Sequence, residues 1–179
     1  ITLLNGNQSS SGLKFFGNVT FTSNVTTSVT GTSPSWGFLG RGSHTITSAG
    51  ANFNSNVSSA TVSLNGPGGT YTLQDALSTN CTFSLAIGTF DANGKNVTLF
   101  AFSSSTTNTR TLTMGSGTWT ITGTGTIWNM TTGPGSLTLN PGTSIIKVTD
   151  TSASSKTLIM GGTSSNRKTY YDFSVPSAG

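Results

Sequence analysis

Between Gly117 and Trp128 the chain reads Gly-Thr-Trp-Thr-Ile-Thr-Gly-Thr-Gly-Thr-Ile-Trp, with threonine on every even position from 118 to 126. A period of two is the strand period, so such a segment presents a ladder of hydroxyls on one face and apolar side chains on the other. Threonine is β-branched and stiff at χ1, which suits an extended backbone. The same segment holds no acid, base or thiol. It therefore constrains architecture strongly and chemistry very little.

The rest of the chain extends this character. Of 179 residues, 63 are Ser or Thr and 23 are Gly, while only 7% are charged, against roughly 25% in ordinary soluble domains. Glutamate is absent and Ala, Leu and Lys are sparse, so no long window favours a helix; the one short candidate is Leu73 to Ser78. Disordered segments are poor in β-branched and aromatic residues, whereas Val, Ile, Thr, Phe and Trp recur here along the whole length. The predicted fold class is all-β.

The length suits one domain, and no apolar run is long enough for a membrane span. The opening Ile-Thr-Leu-Leu-Asn has no recognisable signal peptide and suggests a mature product or a fragment of something longer. Cys81 is the single cysteine, which excludes an internal disulfide framework and reads as a small buried hydrophobe. The net charge of +4 arises from eight basic residues against four Asp, with Arg167-Lys168 the one contiguous basic pair. Nucleic-acid recognition needs a basic stripe, so these read as scattered solubilising charges and no nucleic-acid partner is expected.

Repetition narrows the architecture. Gly-Thr dipeptides at Gly69, Gly88, Gly117, Gly142 and Gly162 each follow a short apolar alternation, at intervals of 19, 29, 25 and 20 residues. Irregular periods in this range, each holding short strands broken by Gly, Asn or Ser, fit the coils of a parallel β-solenoid, a β-helix-like stack. Leu, Ile, Val and Met would point inward and Thr and Ser outward, with corners at Asn65-Gly66-Pro67-Gly68-Gly69 and Asn140-Pro141-Gly142. The competing architecture is an antiparallel β-sandwich or jelly roll. Residues 61–179 form the repetitive region of what reads as one continuous domain. Residues 1–60 repeat less clearly and are expected to form an N-terminal cap or a separate β-sheet region.

The run from Gly88 through Asp91-Ala92-Asn93-Gly94-Lys95 to Thr98 is followed by Phe102-Ser103-Ser104-Ser105 and by Thr111-Leu112-Thr113-Met114-Gly115-Ser116-Gly117-Thr118-Trp119. This text resembles the repeat-rich β-proteins of bacteriophage structural and tail-associated genes, over residues 60 to 175. The resemblance implies a virion-surface part concerned with attachment or decoration, and it carries no catalytic residues to these positions.

The residues themselves point the same way about chemistry. Polysaccharide cleavage commonly needs paired carboxylates, and the four acids, Asp75, Asp91, Asp150 and Asp172, are each alone in their neighbourhood. Asp91 and Asp150 sit in turn sequences. The single histidine, His44, adjoins Ser43 in sequence, which places the two on opposite faces of a strand, and no nucleophile elbow is present. One His without Cys partners argues against zinc, so no metal and no cofactor are expected.

For ligand binding, the aromatic candidates are Trp36, placed in a loop by Ser33-Pro34-Ser35, and Tyr170 beside Arg167. The competing reading of the second cluster is a terminal strand with Tyr171 and Phe173 on the core, while Trp119 and Trp128 are expected to be buried. A third reading takes Thr118, Thr120 and Thr122 as an ice-binding row, but the corresponding places in the next coil hold Ser144 and Lys147, so the row is not sustained. The expectation is a non-enzymatic structural protein of a virion or cell-surface assembly, located on a virion or outside the cell. Its partners would be copies of itself or other virion or surface proteins, and a host-surface polysaccharide is a further contact. The alternatives are a carbohydrate-binding adhesin or polysaccharide-degrading tail-spike domain, an extracellular fibre subunit whose first strand, Ile1 to Leu4, pairs with a neighbour, and an ice-binding solenoid.

Overall fold

The computed structural model describes residues 2–5, 12–23, 25–29, 35–54, 60–162 and 166–175, with only the backbone described at 2–5 and 26–29. Among the described residues, eighteen strands and one short 3-10 turn (Pro134–Ser136) follow one another with no α-helix. In the first part these are β1 (Thr2–Asn5), β2 (Leu13–Phe15), β3 (Val19–Thr20), β4 (Thr26–Val29), β5 (Ser35–Phe38) and β6 (Ser43–Thr47). The middle holds β7 (Thr61–Leu73), β8 (Leu77–Ser78), β9 (Thr82–Asp91), β10 (Val97–Leu99), β11 (Ala101–Ser103) and β12 (Arg110–Thr113). The last are β13 (Thr118–Ile121), β14 (Gly125–Asn129), β15 (Leu137–Asn140), β16 (Ile145–Val148), β17 (Lys156–Ile159) and β18 (Asp172–Ser174).

Every strand pair among the described residues is parallel, and the strands wind into a β-solenoid of about six turns. The antiparallel alternative is thereby set aside. Three faces emerge. The first carries β2, β5, the start of β7, the start of β9, β11, β14 and β17 in that order. The second carries β3, β6, the ends of β7 and β9, β12 and β15. The third carries β8, β10, β13, β16 and β18. β7 and β9 each run through the corner between the first and second faces, and the register shift between Leu64 and Thr70 marks where β7 absorbs extra residues. Residues 1–60 contribute β2, β3, β5 and β6 to the same two faces as the later coils. β1 pairs with this chain's own β4.

Alternation fills the interior as the sequence pattern requires. On the first face, Trp36, Val62, Phe83, Phe102, Trp128 and Leu158 stand in one inward column, coil upon coil. The second face supplies Tyr71, Phe90, Leu112 and Leu139, and the third Leu77, Val97, Trp119, Ile146 and Phe173. Rings meet both along and across the narrow lumen: Phe102 packs on Trp128 of the next coil at 4.4 Å, and Trp119 of the third face packs edge-on against Phe90 of the second at 6.1 Å. Trp119 and Trp128 are fully buried, as expected.

The threonine ladder does not form one strand. Thr118 to Ile121 lies on the third face, the chain turns a corner at 122–124, and Gly125 to Asn129 resumes on the first face. Opposite Lys156–Ile159 the register then shifts between Thr126 and Trp128, so that Ile127 and Trp128 are both buried. Leu73 to Ser78 is the end of β7, a bend and β8, because both ends pair with neighbouring coils and leave no room for a helical turn.

Corners are where coils approach most closely. A Cβ on Gly142 would lie 2.1 Å from the Gly115 carbonyl oxygen, and one on Gly115 would lie 2.4 Å from the Gly94 nitrogen. These three glycines also have positive φ, at 58°, 75° and 69°. Both the backbone twist and the stacking distance therefore require glycine at this corner.

Two substitutions test the core and the corner. Trp119→Ala should cost about 3–5 kcal/mol in chemical denaturation, whereas Thr120→Ala, one residue away and pointing outward, should stay within about 0.5 kcal/mol of the parent. Gly115→Ala should cost more than the roughly 1–2 kcal/mol of left-handed backbone strain alone, because it also pushes against the neighbouring coil.

Candidate functional site

Each chemically capable side chain has a place in the frame. The Asp75 carboxylate accepts the backbone N–H groups of Ser48 (2.7 Å) and Ala49 (2.6 Å), holding Ala49 at φ 49°. Asp91 accepts the Asn93 N–H at 2.8 Å, closing a turn that also has positive φ at Asn93. Asp150 accepts the Ser152 N–H at 3.0 Å and pairs with Lys156 at 2.8 Å; hydrogen bonding to Lys156 and Ser152 lowers its pKa below the usual carboxylate value. Asp172 accepts the N–H of Phe173 at 2.7 Å. Both Asp91 and Asp150 are thus turn formers, as their sequence contexts predict. His44 lies half-buried against the Tyr71 ring at 5.1 Å, and its Nε2 accepts the Gly42 N–H at 3.3 Å.

Arg110 departs from its expected role as a solubilising charge. It is 1% exposed at the corner between the first and second faces. Its Nε donates to Ser104 Oγ at 2.8 Å, one Nη to the carbonyls of Asn108 (2.9 Å) and Gly133 (3.0 Å), and the other to the Ser104 carbonyl at 2.5 Å. A guanidinium presents five donors in a rigid fork, so a single side chain ties together carbonyls that have left the strand ladder. Burial lowers its pKa. Lys168 donates to the Leu137 carbonyl at 2.5 Å on the following coil, its pKa lowered by burial and by the charge of Arg110. Cys81 is buried beside Phe53, in keeping with its reading as a small hydrophobe.

The aromatic candidates fare differently from one another. Trp36 is fully buried in β5, paired with Leu13 and Val62, and its indole N–H donates to the Asn54 carbonyl at 3.2 Å. The expectation of an exposed loop tryptophan is corrected: the loop signal of Pro34 ends before Ser35, and strand alternation turns Trp36 inward. Tyr170 is an internal strut. Its hydroxyl donates to the Met160 carbonyl at 3.0 Å and accepts the Trp128 indole N–H at 3.2 Å, and burial pushes its pKa up to about 12. Tyr171 is 63% exposed, contrary to its expected packing, because β18 begins only at Asp172 and the alternation does not extend back through 171. Phe173 packs on the core as expected, and Arg167 is exposed.

Two of the open depressions on the surface are lined by described residues. One of about 410 Å³ lies between Met130, Pro134 and Ile159 to Gly162; the other, of about 320 Å³, lies between Gly68, Ile87 to Thr89 and Thr109 to Thr111. The first is lined by no ionisable side chain, and Arg110 in the second is committed to carbonyls.

The outward positions of the faces are not equivalent. On the third face, Ser78, Thr98, Thr120, Lys147 and Ser174 form a column, and Ile145 stands beside Thr118. Lys147 therefore interrupts the row as predicted, while Ser144, expected beside it, is buried one residue earlier. On the second face, Ser43, Thr70, Thr89, Thr111 and Thr138 form one unbroken outward column, and Thr45, Thr72, Asp91, Thr113 and Asn140 form the next. Sequence reasoning missed this grid. The signal was present in the Thr-x-Thr pairs at 70–72 and 111–113, but the Gly-Thr steps used to align the coils lie at different corners: Gly69 and Gly88 open the second face, whereas Gly117 opens the third.

Comparison with known protein families, curated proteins and solved structures found no match to this chain. Among the described residues, no three His, Cys, Asp or Glu side chains gather as a metal site, and no helix is long and apolar enough to cross a membrane.

The Tyr170 strut yields a pH dependence. Its folded pKa lies above the ordinary phenol value of 10.0, so its contribution to stability is complete below pH 10 and is lost as pH rises towards about 12. Tyr170→Phe should cost about 1–3 kcal/mol at neutral pH, by stranding the Trp128 N–H, and should flatten the alkaline limb of a pH-denaturation profile.

Proposed function

We propose that this chain is a non-enzymatic structural element of a virion or cell-surface assembly, working outside the cell or on the particle surface. One observation carries the reading: the four carboxylates, the imidazole and the buried guanidinium are each engaged in shaping a turn, bracing a strand or holding a corner. Catalysis needs such groups poised towards a substrate with shifted acidity and matched geometry, and here they are oriented by, and towards, the chain's own backbone. The resemblance to repeat-rich bacteriophage β-proteins favours a virion over other assemblies, with copies of itself or other surface proteins as partners. Stacked coils make a largely uncharged β-solenoid, and repetitive bodies of this kind can space, brace and decorate a surface.

A glycan-contacting adhesin is the second reading, favoured by the exposure of Tyr171 in the last coil, which also carries the exposed Arg167. An aromatic ring of this kind can stack on a sugar face.

Electron microscopy of native particles labelled with an antibody raised against the full chain should place it on a regular surface structure. A freely soluble monomer that hydrolyses polysaccharide would overturn the proposal. Binding on a glycan array that is lost in Tyr171→Ala would move the assignment to the adhesin.

A further inference from the structure

The outer grid of the second face calls for a ligand as regular as itself. Its first column is Ser43, Thr70, Thr89, Thr111 and Thr138, and its second is Thr45, Thr72, Asp91, Thr113 and Asn140. In-register parallel pairing sets neighbouring rungs about 4.8 Å apart, and alternate residues along a strand about 6.6 Å apart. The two columns therefore form a two-dimensional lattice in which eight of ten positions carry hydroxyls, seven of them on threonine with its methyl group, and Asp91 and Asn140 fill the other two. Beneath it, Tyr71, Phe90 and Leu112 are fully buried, so the backbone that carries the lattice is packed from behind.

We propose that this face binds the surface of ice. Hexagonal ice repeats its surface oxygens in two dimensions on closely similar scales. A threonine hydroxyl can both donate to and accept from such a lattice, while the methyl group beside it orders the water that fills the gaps. A single hydroxyl binds water no better than bulk solvent does. Ten positions fixed in one rigid array bind as a unit, because the ordering cost of each rung has already been met by folding. Restriction of χ1 in β-branched threonine lowers that cost further.

The chemistry of the face separates this ligand from others. Among the ten positions only Asp91 is ionisable, and its carboxylate is held by the Asn93 N–H at 2.8 Å, so the face offers no cation to a polyanion. The large exposed apolar residues among the described ones are Phe16, Ile159, Tyr171 and Val175, none of which lies on the grid, so no aromatic platform is present for a sugar ring. The departures at Asp91 and Asn140 are confined to the second column, and Asn140 donates its side-chain amide to Thr113 Oγ1 at 3.2 Å. The third face, broken by Lys147 and Ile145, serves as an internal control.

The test uses the full chain and two single variants, with folding checked by denaturation. The unmodified protein should facet growing ice crystals and slow recrystallisation. Thr111→Lys, inside the grid between Thr89 and Thr138, should lower that activity by about tenfold or more, because a bulky cation lifts several rungs off the lattice together. Thr98→Lys, equally outward on the third face, should leave it unchanged. The proposal is overturned if the folded parent neither shapes ice nor slows recrystallisation, if both variants lose activity equally, or if the chain is retained on crystalline cellulose or chitin without acting on ice.

Discussion

Parallel, in-register stacking of one coil on the next is the interaction on which everything else depends. No coil of this chain has enough apolar side chain to enclose a core; each contributes two or three inward residues per face, such as Trp119 and Ile121 of β13. Stacked, those residues become columns, and columns from three faces close a continuous interior that no single coil possesses. The backbone follows the same rule, since strands on a solenoid face satisfy their N–H and C=O groups with the coils above and below. A composition with so few charges and so many hydroxyls is compatible with a folded protein because of this shared core. Thr and Ser occupy many of the outward positions of the described strands, where they need only meet water.

Stacking also dictates what the corners must be. Where the chain turns between faces, backbone meets backbone, and any side chain would intrude on the neighbouring coil. The glycines at 94, 115 and 142 answer that constraint at one corner, as Gly66, Gly69 and Gly88 do at another. Where a corner leaves carbonyls outside the ladder, a buried donor meets them, and Arg110 does this for Ser104, Asn108 and Gly133. The Asp residues work on the complementary problem, accepting stranded N–H groups at Ser48, Ala49, Asn93 and Ser152. Arg110 and these carboxylates thus each brace or close a turn of the chain's own backbone.

Legibility in the sequence followed the range of the interaction. The inward burial of Trp119 and Trp128, the turn roles of Asp91 and Asp150 and the parallel solenoid itself were readable, because alternation and turn chemistry act over a few residues. Trp36 and Tyr171 were misplaced because a strand boundary shifted by one or two residues reverses which face a side chain takes. The burial of Arg110 had no local signature, since its partners Ser104 and Gly133 are brought to it from two different segments. The threonine ladder at 118 to 126 was conspicuous as text yet is divided between two faces. The sustained grid, from Ser43 to Thr138, was inconspicuous because its members are separated by unequal lengths of chain.

From the sequence alone follow the strand period, the exclusion of helices and the expectation that Leu, Ile, Val and Trp turn inward while Thr and Ser turn outward, all of them consequences of side-chain shape and backbone propensity. Tertiary structure decided which coil positions stand side by side. Register depends on how many residues each corner absorbs, and corners such as Asn65 to Gly69 and its counterpart around Ile87 differ in length without any change in the strands they join. Only stacking fixes that number, because only the neighbouring coil specifies where the next strand must begin.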